Sequence, residues 1–233
     1  MNILKCSELC VAYDGDVVVQ NATFEIDEGD YVVVVGENGS GKSTLIKTIL
    51  GLISPASGDL CFCGGLMQNE IGYLAQQNDI KSDFPASVFE VVLSGFCGKK
   101  SLLPFYTMKQ KQIAHENLKK LDMDDFCRRP ISQLSGGQLR RVLLARALCA
   151  TKKMILCDEP TAGLDTPGAS QLYDCIKKLN DEGISVLMVT HDLQKALAHA
   201  NKVIHMGRDK VYFMSADEYA KSDLAQRLLG TNN

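Results

Sequence analysis

Gly36-Glu37-Asn38-Gly39-Ser40-Gly41-Lys42-Ser43-Thr44 decides the reading of this 233-residue chain. The apolar run Tyr31-Val32-Val33-Val34-Val35 before it reads as a buried strand, and Leu45-Ile46-Lys47-Thr48-Ile49-Leu50 after it as the start of a helix. Strand, glycine-rich turn and helix form the context that a phosphate-binding loop requires. Glycine lets the backbone wind closely around an anion with its N–H groups turned inward. The helix N-terminus adds a partial positive charge at the same place. Lys42 is expected to reach the β- and γ-phosphates of a nucleotide, and the Ser43 hydroxyl to ligate Mg²⁺. Gly36, Glu37, Asn38, Gly39, Ser40, Gly41 and Thr44 complete the expected cradle. An ordinary glycine turn is the bland alternative, and the flanking strand and helix argue against it.

Composition narrows the class. The length allows one large domain or two lobes around a real core. A net charge of −3 gives no electrostatic case for nucleic acid or for an anionic membrane surface. No apolar run approaches the roughly 20 residues that span a bilayer. Met1-Asn2-Ile3-Leu4-Lys5 lacks signal-peptide features. The expectation is a cytoplasmic chain whose membrane link, if any, runs through a partner. The nine cysteines are dispersed, several within apolar segments, as reduced structural thiols are. Cys61-Phe62-Cys63 could supply half of a metal site, but no second Cys or His pair has a matching spacing.

Outward from the loop, residues 3–13 and 17–26 alternate as two antiparallel strands about a turn at Asp14-Gly15-Asp16. Short strands are expected at 59–62 and 71–75, the second ending at Gln76. From about residue 80 the spacing turns helical, over 87–95, 108–120 and 136–150, with Pro85, Pro104 and Pro130 as breaks. Strands at 154–158 and 184–189 alternate with helices at 168–181 and 193–199. Strands at 202–206 and 210–214 and a helical tail over 215–229 follow. The fold class is α/β: a mainly parallel core sheet bearing the phosphate loop, an antiparallel β edge layer and a helical insert lobe. The expected division is one domain, 1–233, with a core lobe of 1–79 and 151–233 and a helical lobe of 80–150.

Two further motifs carry chemistry. Leu134-Ser135-Gly136-Gly137-Gln138 opens a helix with a serine and two glycines, a second place where backbone N–H groups can face an anion. Alone it is no more than a capped helix start. About 20 residues further on, Met154-Ile155-Leu156-Cys157-Asp158-Glu159-Pro160 is an apolar strand delivering two carboxylates at its end. Asp158 is placed to hold Mg²⁺ through its hydration shell, and Glu159 to polarise water beside the γ-phosphate.

These three motifs, in this order and spacing, resemble the nucleotide-binding subunit of ATP-binding cassette (ABC) transporters over about residues 2–215. The resemblance implies ATP and Mg²⁺ as ligands, and it carries further residues over one at a time. Tyr13 falls where an aromatic stacks on adenine. Gln76 falls where a glutamine contacts the Mg²⁺ and water region and signals to the membrane subunit. Asp165, in Thr161-Ala162-Gly163-Leu164-Asp165, matches an aspartate presented across a dimer, and also suits a helix N-cap. His191, after Leu187-Met188-Val189-Thr190, matches the histidine that contacts the γ-phosphate. The family's ATP lies between the phosphate loop of one copy and residues equivalent to Ser135, Gly136, Gly137 and Gln138 of another. A second copy of the chain and a membrane-spanning permease are therefore the implied partners, the permease docking near Gln76 and residues 84–96.

Asp83-Phe84-Pro85-Ala86-Ser87-Val88-Phe89-Glu90-Val91-Val92-Leu93-Ser94-Gly95 and Arg128-Arg129-Pro130-Ile131 are similar to the zinc and manganese importers of that family. An ATPase powering such an importer leads. An importer of another solute such as an iron chelate, and a soluble cassette in iron–sulfur cluster assembly, stand as alternatives. A nucleotide sensor without turnover is disfavoured by Glu159 and His191 together.

Overall fold

A computed structural model describes residues 1–13, 15–76, 85–97, 105–207 and 210–230. The chain opens with an antiparallel hairpin, β1 (Asn2–Tyr13) and β2 (Asp16–Asp27), as the alternation predicts. Then come β3 (Tyr31–Val35), α1 (Lys42–Ile49), β4 (Ser57–Phe62) and β5 (Gly72–Leu74). The insert contributes α2 (Val88–Leu93), α3 (Met108–Lys120) and α4 (Gly136–Ala150). Thereafter β6 (Met154–Asp158), α5 (Thr166–Asp181), β7 (Ser185–Val189), α6 (Leu193–Leu197), β8 (Lys202–Met206) and β9 (Val211–Ser215) precede two short C-terminal helices, α7 (Ala216–Ala220) and α8 (Asp223–Gly230).

The strands make two sheets. One is antiparallel, in the order β2-β1-β4, and the other runs β5-β6-β7-β3-β8-β9, parallel except for β9. Every residue of β3, β6 and β7 is buried, because the larger sheet is covered on both faces. Alternation then divides each strand between two cores. Val32 and Val34 join Leu45, Ile46 and Ile49 of α1 and the hairpin's Phe24 and Ile26 on one side. Tyr31, Val33 and Val35 face the other, where one continuous apolar cluster runs from the sheet into α2, α3 and α4. The insert is thus packed on the sheet through shared apolar side chains. The carboxyl ends of β3, β5, β6 and β7 are left together at one rim, where ligands bind in open α/β sheets.

In the segment 84–96, where a permease is expected to dock, the described apolar side chains turn mostly inward. Val92 and Phe96 are 0% and 5% exposed, in the core, because Val88, Val91 and Val92 place the apolar face of α2 inward. Phe89 is half-buried with its ring 4.4 Å from His115, and Phe84 lies outside the described residues. Helix α5 begins at Thr166 rather than 168, since Asp165 caps it and Pro167 suits its first turn. The tail is two helices, because the Ser222 hydroxyl donates to the Tyr219 carbonyl and accepts from the Ala225 N–H, ending one helix and starting the next. Among the described residues no helix is long and apolar enough to cross a membrane.

Candidate active site

Backbone geometry fits the loop after β3 to an anion. Gly36 has φ +150°, and a Cβ there would lie 2.3 Å from the Met206 carbonyl oxygen. Gly41, at φ +90°, would meet the Val18 carbonyl at 2.8 Å. Neither position can take a side chain, so glycine is required for the loop's path. Gly41 is also the N-cap of α1, with no side-chain cap and no acid in the first turn. The N–H groups that begin the helix are therefore left for a ligand's oxygens. The Ser40 hydroxyl is buried without a protein partner, a second sign that the cradle is built for another molecule. Lys42 Nζ donates to the Gly36 and Glu37 carbonyls, 2.8 Å each. Burial lowers its pKa, while the carboxylates of Glu159 and Asp158 act in the opposite sense. Glu37, Asn38, Gly39 and Ser43 line the rim exposed, with Thr44 half-buried.

The acids stand at the end of β6. Asp158 is 9% exposed. Burial, and then the neighbouring Glu159 carboxylate, raise its pKa, so the site favours a cation beside it. The Tyr73 hydroxyl donates to Asp158 Oδ2 at 3.4 Å. Sequence reading missed Tyr73. Its signal was position alone: β5 and β6 are in parallel register, with Tyr73 opposite Leu156.

Glu159 leaves the strand at φ +46°, a left-handed conformation that costs a non-glycine residue about 1–3 kcal/mol. Its N–H donates to the Val189 carbonyl and its own carbonyl accepts from Ala162, which fixes this turn. The carboxylate is bracketed. Gln76 Nε2 donates to Oε2 at 2.7 Å, and His191 Nε2 lies 2.7 Å from Oε1. Gln76, Glu159 and His191 follow β5, β6 and β7, and the parallel sheet alone brings them together. Beneath His191, the buried Thr190 hydroxyl shares a 3.1 Å hydrogen bond with Tyr173 and accepts from the Asp192 N–H.

The second anion motif lies elsewhere. Ser135 Oγ accepts from the Gln138 N–H and Gln138 Oε1 from the Ser135 N–H, a reciprocal cap on α4. Gly136 and Gly137 leave this helix start bare, and a Cβ on Gly136 would sit 3.3 Å from Leu164 Cδ2. Asp165, close by and exposed, accepts from the Gly168 N–H at 3.1 Å. Among the described residues no hydrogen bond joins residues 135–138 to residues 36–44. The side chain of Tyr13, expected to stack on adenine, lies outside the described ones.

Known proteins match this arrangement. A family model for "ABC transporter" covers residues 19–162. The manganese transport system ATP-binding protein MntB of Bacillus subtilis is 36% identical, over 97% of this chain and 92% of that protein. The zinc uptake system ATP-binding protein ZurA of Listeria innocua is 35% identical, over 93% of this chain and 87% of that one. Among solved structures, cbiO1 from Clostridium perfringens, part of the ABC transporter complex cbiONQ, superposes with a TM-score of 0.82 at 27% identity, covering 99% of this chain and 95% of that one. A sheet that carries its loop and acids in this order, and is matched in sequence and in shape alike, leaves one assignment: the chain belongs to the ABC transporter family, as an ATP-hydrolysing subunit.

Proposed function

We propose that the chain powers a membrane importer of a transition metal, zinc or manganese, by hydrolysing ATP between two copies of itself. The observation that carries the catalytic part is the Glu159 carboxylate held by Gln76 and His191, each at 2.7 Å, at the same sheet rim as Lys42. Glu159 is the general base. As a water oxygen bonds to the γ-phosphorus and the bond from that phosphorus to the β,γ-bridging oxygen breaks, the water's proton passes to the carboxylate and ADP leaves. Lys42 turns from its own carbonyls to the β- and γ-phosphates, and His191 contacts the γ-phosphate. The N–H groups of residues 36–44 take the remaining oxygens. Mg²⁺ fits a rim with a buried acid and would be held by Ser43, Gln76 and Asp158, where it supplies charge neutralisation.

The division into a core lobe of 1–79 and 151–233 and a helical lobe of 80–150 places the phosphate loop on one and residues 135–138 on the other. Ser135, Gly136, Gly137 and Gln138, with Asp165, then complete the site of the second copy, and Tyr13 stacks on its own adenine. The permease docks near Gln76 and residues 84–96, which holds the chain on the cytoplasmic face of the membrane. The names of the relatives support the metal: manganese for one and zinc for another.

Metal uptake tests this reading. In cells lacking the chain, the wild type should restore accumulation of radioactive zinc or manganese, and Lys42→Ala should not. Restoration of neither metal by a wild-type chain that hydrolyses ATP would overturn the assignment of cargo.

A further inference from the structure

Arg140 lies on the inner face of α4, at helical spacing from Leu144 and Ala147, and is wholly buried. That face is apolar, and an aliphatic side chain would fill the position without the cost of desolvating a guanidinium. Among the described residues Arg140 forms no ion pair. Its donors go to two backbone oxygens instead: Nη1 to Ala75 at 3.1 Å and Nη2 to Ala162 at 3.2 Å. Nε is buried with no acceptor, which a residue serving only to fill space has no reason to carry.

The two oxygens belong to the two segments that hold Glu159. Ala75 immediately precedes Gln76, whose amide donates to Glu159 Oε2. Ala162 donates its N–H to the Glu159 carbonyl and opens the path to Asp165. Arg140 itself stands just inside the helix that Ser135 caps. One side chain therefore ties the loop of Gln76, the turn of Glu159 and the start of α4. Because a guanidinium is planar and rigid, it fixes the separation of the two carbonyls it holds.

We propose that Arg140 is a positioning residue for hydrolysis, clamping the Ala75 and Ala162 carbonyls so that the Gln76 amide stays on the Glu159 carboxylate. The proposal rests on Glu159 being the base. A misplacement of about 1 Å among reacting groups can cost on the order of 10²-fold in rate, so a loosened clamp should appear in kcat and not in nucleotide affinity.

The test is steady-state ATP hydrolysis by the full chain carrying Arg140→Met, Arg140→Lys, Gln76→Ala and the Arg140→Met/Gln76→Ala pair. Arg140→Met should lower kcat about tenfold or more, with KM for ATP within about threefold. Arg140→Lys, which keeps the charge but can reach one carbonyl, should fall between that variant and the wild type. In the Gln76→Ala background Arg140→Met should cost no more than about twofold, since residues acting through each other are not additive. The proposal is overturned if kcat stays within about twofold, if KM rises in step with the loss, or if the two losses multiply in the pair. Should Arg140→Met not fold, Arg140→Lys decides alone: reduced kcat at unchanged KM supports the clamp and wild-type kcat removes it. Glu159→Gln separates the two claims. If it hydrolyses ATP at the wild-type rate, the assignment of the base fails. If it is inactive while Arg140→Met is unimpaired, only the clamp fails.

Discussion

Glu159 occupies a left-handed backbone conformation at the end of a buried strand, and its carboxylate has two partners on neighbouring strand ends. Strain of that kind persists only where the surroundings over-determine it, and here the Val189 and Ala162 hydrogen bonds do so. Lys42 is the other residue whose chemistry is set by place: a buried cation aimed along its own loop, with two carboxylates nearby. Removing one preorganised donor of this kind costs on the order of 10²–10³ in rate. Lys42→Ala should therefore lose that much in phosphate release and bind ATP more weakly. Near-normal turnover would place the chemistry elsewhere. At this scale the sequence was legible for the placement of Lys42, Asp158, Glu159 and His191, each at or soon after the end of a buried strand. It was illegible for Tyr73 and Arg140. Tyr73 meets Asp158 only through the register of β5 on β6, and Arg140 reads as a surface charge until the packing of α4 is known.

At the scale of elements, α4 and β5 approach so closely that glycine becomes a packing residue. A Cβ on Gly72 would lie 2.6 Å from the Ala147 carbonyl oxygen and 2.8 Å from Thr151 Cγ2. Gly72→Ala should push β5 from the helix and destabilise the chain by about 1–3 kcal/mol, the usual cost of overpacking. Urea unfolding measures it, and an unchanged midpoint would mean the contact is relieved elsewhere at no cost. Because β5 leads to Gln76, turnover should fall in the same variant. Helices α3 and α4 and strands β6 and β8 were legible to the residue, since each has a strong period and a clear break. The start of α5 and the division of the tail were not. Both are decided by side-chain caps, Asp165 and Ser222, which compete with the apolar period and outweigh it locally. The pairing of β4 with β1, distant in sequence, leaves no trace in either strand's pattern.

The whole molecule has two cores on the faces of one sheet, and the chemistry gathers at that sheet's carboxyl rim. The helix start at residues 135–138, proposed to face the ATP of a second copy, shares no hydrogen bond with residues 36–44 among the described residues. If ATP is held between two copies, it is interface material. A ligand that binds only the closed dimer stabilises it by about 2.7 kcal/mol at a hundredfold excess over its dissociation constant. Hydrolysis then ends the closure by separating the γ-phosphate. Glu159→Gln keeps size and most hydrogen bonding but removes the base, so the variant should bind ATP, close and not reopen. Light scattering after gel filtration in ATP is the most direct measurement. A stable dimer for Glu159→Gln, beside a wild type that returns to monomer after turnover, is the predicted result; a Glu159→Gln chain that binds ATP and stays monomeric, or that hydrolyses it at the wild-type rate, would contradict the account.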